Sequence, residues 1–217
     1  MKPDQPLQAN ALRARFRREG ADAASLGEDP IAAFRRWHTD WVATSPFDPA
    51  LMTLATVGES GRPTIRAMDL VAVDHGFVFM SHGSSPKALD LQARPFGALC
   101  FAWPEIGRQV RVGGPVELIA AAEADAAFAR LPRGFRLVAN ATQQSAIIND
   151  RGTIERQISA TKEELGGRDP TRPRSWMGFR VVPDEMEFWQ QRVDDLHDRV
   201  VFRHNNIDKW MISILSP

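Results

Sequence analysis

Two rhythms of apolar residues run along this chain. Phe34, Trp37 and Trp41 recur at helical spacing behind Asp29-Pro30, where Asp can cap and Pro can fill the first turn. A helix with three core anchors is predicted there. From Ala50 the rhythm shortens. Ala50–Val57 and Thr64–Val73 are β-rich runs around the turn Glu59-Ser60-Gly61-Arg62-Pro63, which predicts a hairpin. Phe77–Met80, Gly97–Trp103 and Gln109–Ile119 read as further strands, with a short helix over Ser84–Ala93. Ala121–Arg130 and Thr153–Leu165 read as helices and Arg168–Arg174 as a loop. Phe179–Val182, Glu185–Trp189, Val200–Arg203 and Trp210–Leu215 are strand-like. Many short strands and few long helices predict a mainly β fold, an antiparallel barrel with flanking helices.

Residues 1–28 break the pattern. They are polar and rich in Arg (Arg13, Arg15, Arg17, Arg18), and are expected to be a partly ordered arm ahead of a domain over 29–217. The 27 basic and 27 acidic residues cancel, so no broad affinity for nucleic acid or membrane is expected. Arg outnumbers Lys by 23 to 4, which suits bidentate capture of phosphate or carboxylate but is also a common compositional bias. The single Cys100 sits in an apolar run, which excludes an internal disulfide and multi-thiolate metal sites. No metal is expected. With no long apolar stretch and no signal-peptide pattern, a cytoplasmic location is expected.

The phosphate-binding Gly-x-x-x-x-Gly-Lys, the dinucleotide-binding Gly-x-Gly-x-x-Gly, His-Glu-x-x-His and Gly-x-Ser-x-Gly are all absent. Three segments carry candidate chemistry. Arg66 lies on the second strand of the hairpin. Ser81-His82-Gly83-Ser84-Ser85-Pro86-Lys87 runs into a helix start, where backbone N–H groups favour an anion and Lys87 adds charge. Arg66 and Lys87 could hold a phosphate together; a capped surface helix explains the same residues. Glu187-Phe188-Trp189-Gln190 and Leu196-His197-Asp198-Arg199 bring aromatic, imidazole and guanidinium groups onto adjacent strands, where a histidine is as often structural as catalytic.

With these residues in view the chain resembles the pyridoxamine 5′-phosphate oxidase family. The likeness covers roughly 28–217. It rests on Asp29-Pro30, Leu54-Ala55-Thr56-Val57, Gly61-Arg62-Pro63, Arg66, Ser85-Pro86-Lys87-Ala88, Phe101-Ala102-Trp103, Arg108-Gln109-Val110, Gln144-Ser145, Trp176-Met177-Gly178-Phe179-Arg180, Glu187-Phe188-Trp189, Leu196-His197-Asp198-Arg199 and the ending Leu215-Ser216-Pro217. The resemblance implies an FMN-binding split β-barrel that forms a homodimer through its C-terminal strands, with FMN between subunits. It implies FMN contacts from Arg66, Met80, Ser81, Lys87, Gln109, Gln144, Ser145, Trp189 and Arg199. Pro86 stands where the family has a second phosphate-binding Arg.

The substrate side departs further. The family's Lys, Tyr, Arg and Ser for the vitamin B6 phosphate fall at Val71, Ala127, Leu131 and Phe135, and an Arg before Leu-His is Asp195. His197 remains. Each lost charge-assisted donor is worth about 1.5–3 kcal/mol, so the loss to a phosphate is on the order of 6 kcal/mol. Strand alternation places Asp69 and Val71 on one side and Arg66, Met68 and Leu70 on the other. Asp69, Asp195 and His197 are therefore expected around an apolar pocket suited to a neutral or cationic aromatic substrate. The phenazine-biosynthesis flavin oxidases are the similar branch. The resemblance implies an FMN-dependent oxidase of a non-B6, largely aromatic substrate in secondary metabolism, with oxygen as acceptor and His197 placing the substrate or relaying a proton. Two alternatives stay open: a genuine pyridoxine/pyridoxamine 5′-phosphate oxidase with a rearranged phosphate site, or a non-catalytic flavin-binding protein. The Arg-bearing segment 130–136 leaves a shifted anion site possible in the first of these.

Overall fold

A computed structural model describes residues 5–205 and 209–217 of the chain. Ten strands, nearly all short, build one curled antiparallel sheet system with helices on its flanks. The strands are β1 (Leu51–Val57), β2 (Pro63–Asp69), β3 (Ala72–Val73), β4 (Phe77–His82), β5 (Phe96–Trp103), β6 (Arg108–Leu118), β7 (Trp176–Val181), β8 (Glu185–Gln190), β9 (Asp198–His204) and β10 (Trp210–Ile214). The main path runs β10-β9-β8-β6-β5-β1-β2, while β3, β4 and β7 continue the sheet from the far end of β6. β6 makes this possible by changing partners along its length. Arg108–Gly113 pair with β8, and Val116–Leu118 pair with β7. At the changeover a Cβ on Gly114 would sit 2.0 Å from the Val182 carbonyl oxygen, so only glycine fits.

The long run expected over Thr64–Val73 is two strands. The Leu70 amide donates to the Ala50 carbonyl, but the Val71 amide donates to that of Val78. The chain thus leaves β1 for β4 within one residue, which hydrophobic patterning cannot reveal.

Helix α1 spans Gln5–Glu19, α2 Ala23–Leu26 and α3 Pro30–Ala43. Asp29 caps α3 by accepting from the Ile31 and Ala32 amides, with Pro30 in the first turn. The helix buries Ala33, Phe34, Trp37 and Trp41. The Phe34 ring lies 4.8 Å from Phe77 and 4.7 Å from Phe101, so the helix plugs the barrel with edge-on aromatic contacts. Helices α4 (Pro86–Ala93), α5 (Ala121–Arg130), α6 (Arg133–Ala141) and α7 (Arg151–Leu165) complete the fold. Helix α6 is an element for which sequence patterning set no expectation. Pro132 precedes the helix, which buries Leu137 and Ala139.

The Arg-rich segment is also more structured than its composition suggests, apart from residues 1–4, which lie outside the described ones. Phe16 of α1 and Leu26 of α2 enter the main core at 2% and 1% exposure. Arg108 fixes them there. Its guanidinium carbon lies 3.4 Å from the Phe16 ring centroid and 4.2 Å from that of Trp37, while it donates to Asp40 at 2.7 Å and Gln190 at 2.8 Å. Burial pushes its pKa down to about 10, against the opposing pull of Asp40.

Replacing Phe34 by Ala removes the ring that joins α3 to β4 and β5. A loss of about 3–5 kcal/mol in unfolding free energy is expected, measured by urea titration of the wild type and variant.

Candidate active site

The first cluster forms where β2, β4 and the start of α4 meet. Ser85 caps α4, Pro86 fills its first turn, and Lys87 follows with its side chain turned inward. Lys87 is only 6% exposed. Its ammonium donates to Ser81 Oγ at 3.2 Å and to Gln144 Oε1 at 3.3 Å. Gln144 Oε1 also accepts from Ser81 Oγ at 3.0 Å and from the His82 amide at 3.2 Å, and Ser81 Oγ lies 2.8 Å from Ser85 Oγ. Arg66 enters from β2. Its guanidinium donates to Thr56 Oγ1 at 2.7 Å and Thr64 Oγ1 at 2.6 Å, with Asp90 at 3.9 Å.

Two cations therefore stand together, and among the described residues Lys87 forms no ion pair with a carboxylate. Burial, and then the Arg66 charge, push the Lys87 pKa below its ordinary value. Burial lowers that of Arg66 against the pull of Asp90. Such a pair is stabilised by an anion placed between its members.

A second cluster lies across the sheet. Gln109, Trp189 and Arg199 are register neighbours on β6, β8 and β9. The His197 ring stands 4.9 Å from that of Trp189 at 74°. The Arg192 amide lies 3.3 Å from His197 Nδ1, which makes that nitrogen the acceptor and leaves the proton on Nε2. Arg199 donates to Glu187 Oε1 at 2.9 Å and to the Ser216 carbonyl at 2.9 Å. Burial raises the Glu187 pKa, but Arg199 and Arg111 together outweigh it and hold the carboxylate charged. The loop carrying His197 is tied to α1 through Arg13 to Gln191 at 2.8 Å and Arg17 to the Arg192 carbonyl at 3.2 Å.

The register separates these clusters. Arg66 opposes Leu54, which opposes Leu99, in a row that faces the core. Gln109 opposes Ala102, three residues from Leu99 and so on the other face. Trp189 and Arg199 share the face of Gln109. Strands β2 and β8 are also four ladder steps apart, about 19 Å at the usual spacing. Over β2, β1 and β5 the face of Gln109 is uncovered and largely apolar: Leu51, Ile65 and Phe96 are 49%, 74% and 60% exposed, with Thr53, Ala55 and Ala98 between them, while over β6, β8 and β9 it carries Arg111, Glu187, Glu185 and Arg203.

Beside the first cluster opens a cavity of about 220 Å³. Asp69, Val71, Met80, Leu131, Phe135, Gln144 and Trp176 line most of it. Phe135 and Trp176 form an edge-on wall with centroids 5.6 Å apart. Asp69 and Val71 both line this cavity, but so do Ala67 and Met68, so strand alternation does not sort them: β2 ends at Asp69 and the chain changes partners before Val71. Burial and then Asp48 raise the Asp69 pKa. Ala127 packs in the cluster behind the cavity with Val71 and Leu131. Asp195 is not among its lining residues; it sits in the β8–β9 loop at φ +59°. Ser145 has φ +66° and lines a separate groove along α7.

Ser85, Thr56 and Trp176 stand in the sequence only within longer motifs, with no contact role of their own, and neither Thr64 nor the ion pairing of Glu187 with Arg199 is marked there. Only Ser85-Pro86 carried a local signal, that of a helix cap.

Similarity to known proteins agrees with this arrangement. The family model described as pyridoxamine 5′-phosphate oxidase matches residues 41–163, and that described as the pyridoxine 5′-phosphate oxidase C-terminal dimerisation region matches 176–217. A pyridoxine/pyridoxamine 5′-phosphate oxidase of Burkholderia ambifaria is 44% identical over 209 residues, 95% of this chain and 97% of that one. One of Gluconobacter oxydans is 43% identical over 193 residues, 88% and 96% of the two chains. Among solved structures, PhzG from Burkholderia lata in complex with tetrahydrophenazine-1-carboxylic acid superposes with a TM-score of 0.83 at 26% identity, covering 88% of this chain and 94% of that one. An FMN-binding, pyridoxamine 5′-phosphate oxidase-related protein of Nostoc punctiforme gives 0.72 at 19% identity, over 88% and 100%, and shares the fold.

Lys87 makes stability depend on pH with a definite sign. Its folded pKa lies below the unfolded 10.5, so between those values the unfolded chain binds more protons. FMN-free protein is expected to gain stability as pH rises through that window, with the gain absent in Lys87→Met and reduced by added inorganic phosphate. Thermal midpoints across the window measure it; equal slopes in wild type and variant would contradict the burial argument.

Proposed function

Because the chain belongs to the pyridoxamine 5′-phosphate oxidase family, we propose that it is an FMN-dependent oxidase, working as a homodimer, whose substrate is an aromatic compound other than a vitamin B6 phosphate. The observation that carries the flavin assignment is Lys87, buried beside Arg66 without a carboxylate partner. A phosphate monoester dianion satisfies both cations, and the Ser81 and Ser85 hydroxyls offer further donors beside them. Pro86, in place of a second Arg, adds no donor. The family match also contains a dimerisation region, and the uncovered sheet face supports a second copy seated on it. In that arrangement Gln109, Trp189, His197 and Arg199 of one subunit complete the site that Arg66, Met80, Ser81, Lys87 and Gln144 begin in the other. Ser145, one residue beyond Gln144, is assigned to the same cofactor.

Lys87 and Arg66 would hold the phosphate of FMN, and the bound flavin would supply two-electron redox chemistry, with the substrate as hydride donor and dioxygen as acceptor. The chain's residues do the rest. Lys87 and Arg66 anchor, Trp189 packs, and the apolar cavity excludes water. His197, with its proton on Nε2, orients the substrate or exchanges that proton with it. The substrate reading rests on Val71, Leu131 and Phe135, which offer a phosphate no donor along the cavity wall. PhzG, solved with tetrahydrophenazine-1-carboxylic acid, supports a reduced tricyclic ring system as the substrate skeleton, without its carboxylate. The relatives named pyridoxine/pyridoxamine 5′-phosphate oxidase favour a second reading, oxidation of a B6 phosphate.

Purified protein loaded with FMN separates the readings. Under air it is expected to oxidise a dihydrophenazine faster than pyridoxine 5′-phosphate; the reverse order establishes the B6 reading, and turnover of neither makes it a flavin carrier. Lys87→Ala is expected to weaken FMN binding about tenfold to a hundredfold, the worth of one charge-assisted contact, in a fluorescence titration.

A further inference from the structure

Resting on the flavin-oxidase reading of this site, we propose that the cavity selects substrates presenting a cationic or N–H-donating edge to Asp69 and excludes phosphate and carboxylate anions. Asp69 is the one ionisable side chain among the cavity's lining residues. Its setting is otherwise apolar and aromatic, with the Phe135–Trp176 wall opposite aliphatic Val71 and Leu131. A carboxylate in such surroundings pairs with a donor and repels an anion, and aromatic faces add attraction for a cation.

The nearby arginines do not offset it. The segment 130–136 carries Arg, but Arg136 donates to the Leu131 carbonyl at 3.1 Å and the Pro170 carbonyl at 3.3 Å, and lies 3.4 Å from Asp169. Arg133 lies 3.4 Å from the same Asp169 and donates to the Arg168 carbonyl at 3.2 Å. Arg130 is exposed and lines no part of the cavity. The loop after α7 therefore occupies the cations that a shifted anion site would require. Lys87 and Arg66 are assigned to the cofactor phosphate, and Arg199 of the second subunit to the cofactor, so the charge that this chain's cavity wall leaves to the substrate is that of Asp69, with His197 of the second subunit as its neighbour in the completed site. Gln144 belongs to both the cation cluster and the cavity wall, which places the selecting carboxylate next to the cofactor half of the site.

The test uses FMN-loaded protein and three planar tricyclic probes of similar size: 9-aminoacridine as cation, phenazine as neutral, and phenazine-1-carboxylate as anion. Binding is followed by titration calorimetry in wild type, Asp69→Asn and Asp69→Lys, with flavin absorbance reporting that FMN stays bound. In wild type the cation is expected to bind at least about tenfold tighter than the anion, the worth of one charged contact. Asn is expected to remove most of that preference while leaving phenazine unchanged, and Lys to reverse it. Anion binding equal to cation binding in wild type, or equal changes for all three probes in Asp69→Asn, overturns the proposal. A chain that takes up no FMN overturns the flavin reading instead, and the charge order measured on that FMN-free protein still decides what Asp69 selects.

Discussion

The ammonium of Lys87 is buried next to the guanidinium of Arg66, with hydroxyls and an amide oxygen around it and no carboxylate of its own. A buried cation of this kind costs free energy in the absence of a partner. The surrounding structure is arranged to hold it there regardless. Ser85 caps α4 and turns the Lys87 stem inward, Gln144 gathers three donors on one oxygen, and Thr56 and Thr64 hold Arg66 against the ladder. Fold stability spent on burying Lys87 beside a second cation is expected to be returned by an anion such as a phosphate monoester.

Strand register adds a second constraint, on which groups one chain can bring together. Register places Trp189 on a strand four ladder steps from Arg66 and on the opposite face, with the ring of His197 held against it from the β8–β9 loop. A sheet side chain cannot change face without slipping its strand by one residue, which would expose Leu54, Leu99 and Val112. The two half-sites are thus locked apart within a chain. The face that carries Gln109 and Trp189, apolar over β2, β1 and β5, offers the means to join them through a second copy.

Much of this was legible in the sequence. The hairpin around Gly61, the helix behind Asp29-Pro30 and α5 over Ala121–Arg130 follow from caps, turn residues and periodicity. The ordered set of short motifs pointed to Arg66, Lys87 and Trp189. What remained hidden depends on contacts between distant residues. Helix α1 is polar nearly all round, and only Leu12 and Phe16 at a four-residue spacing mark its inner side. Its anchorage depends on Arg108, which no local pattern links to Phe16. The partner exchange at Leu70-Val71 and the capture of Arg133 and Arg136 by the 168–170 loop are likewise tertiary facts. They matter here, because they decide that Asp69 faces the cavity and the arginines do not.

The central claim is that one working site takes its phosphate anchor from one chain and its aromatic, imidazole and guanidinium groups from another. Subunit mixing addresses it directly. Lys87→Ala and Arg199→Ala proteins, each too weak to hold FMN at a chosen low concentration, are unfolded together and refolded as mixed dimers. If the half-sites come from different chains, each mixed dimer has one intact site and FMN binding reappears in a fraction of the sites at wild-type affinity. If one chain supplies the whole site, every site carries a substitution and mixing restores nothing.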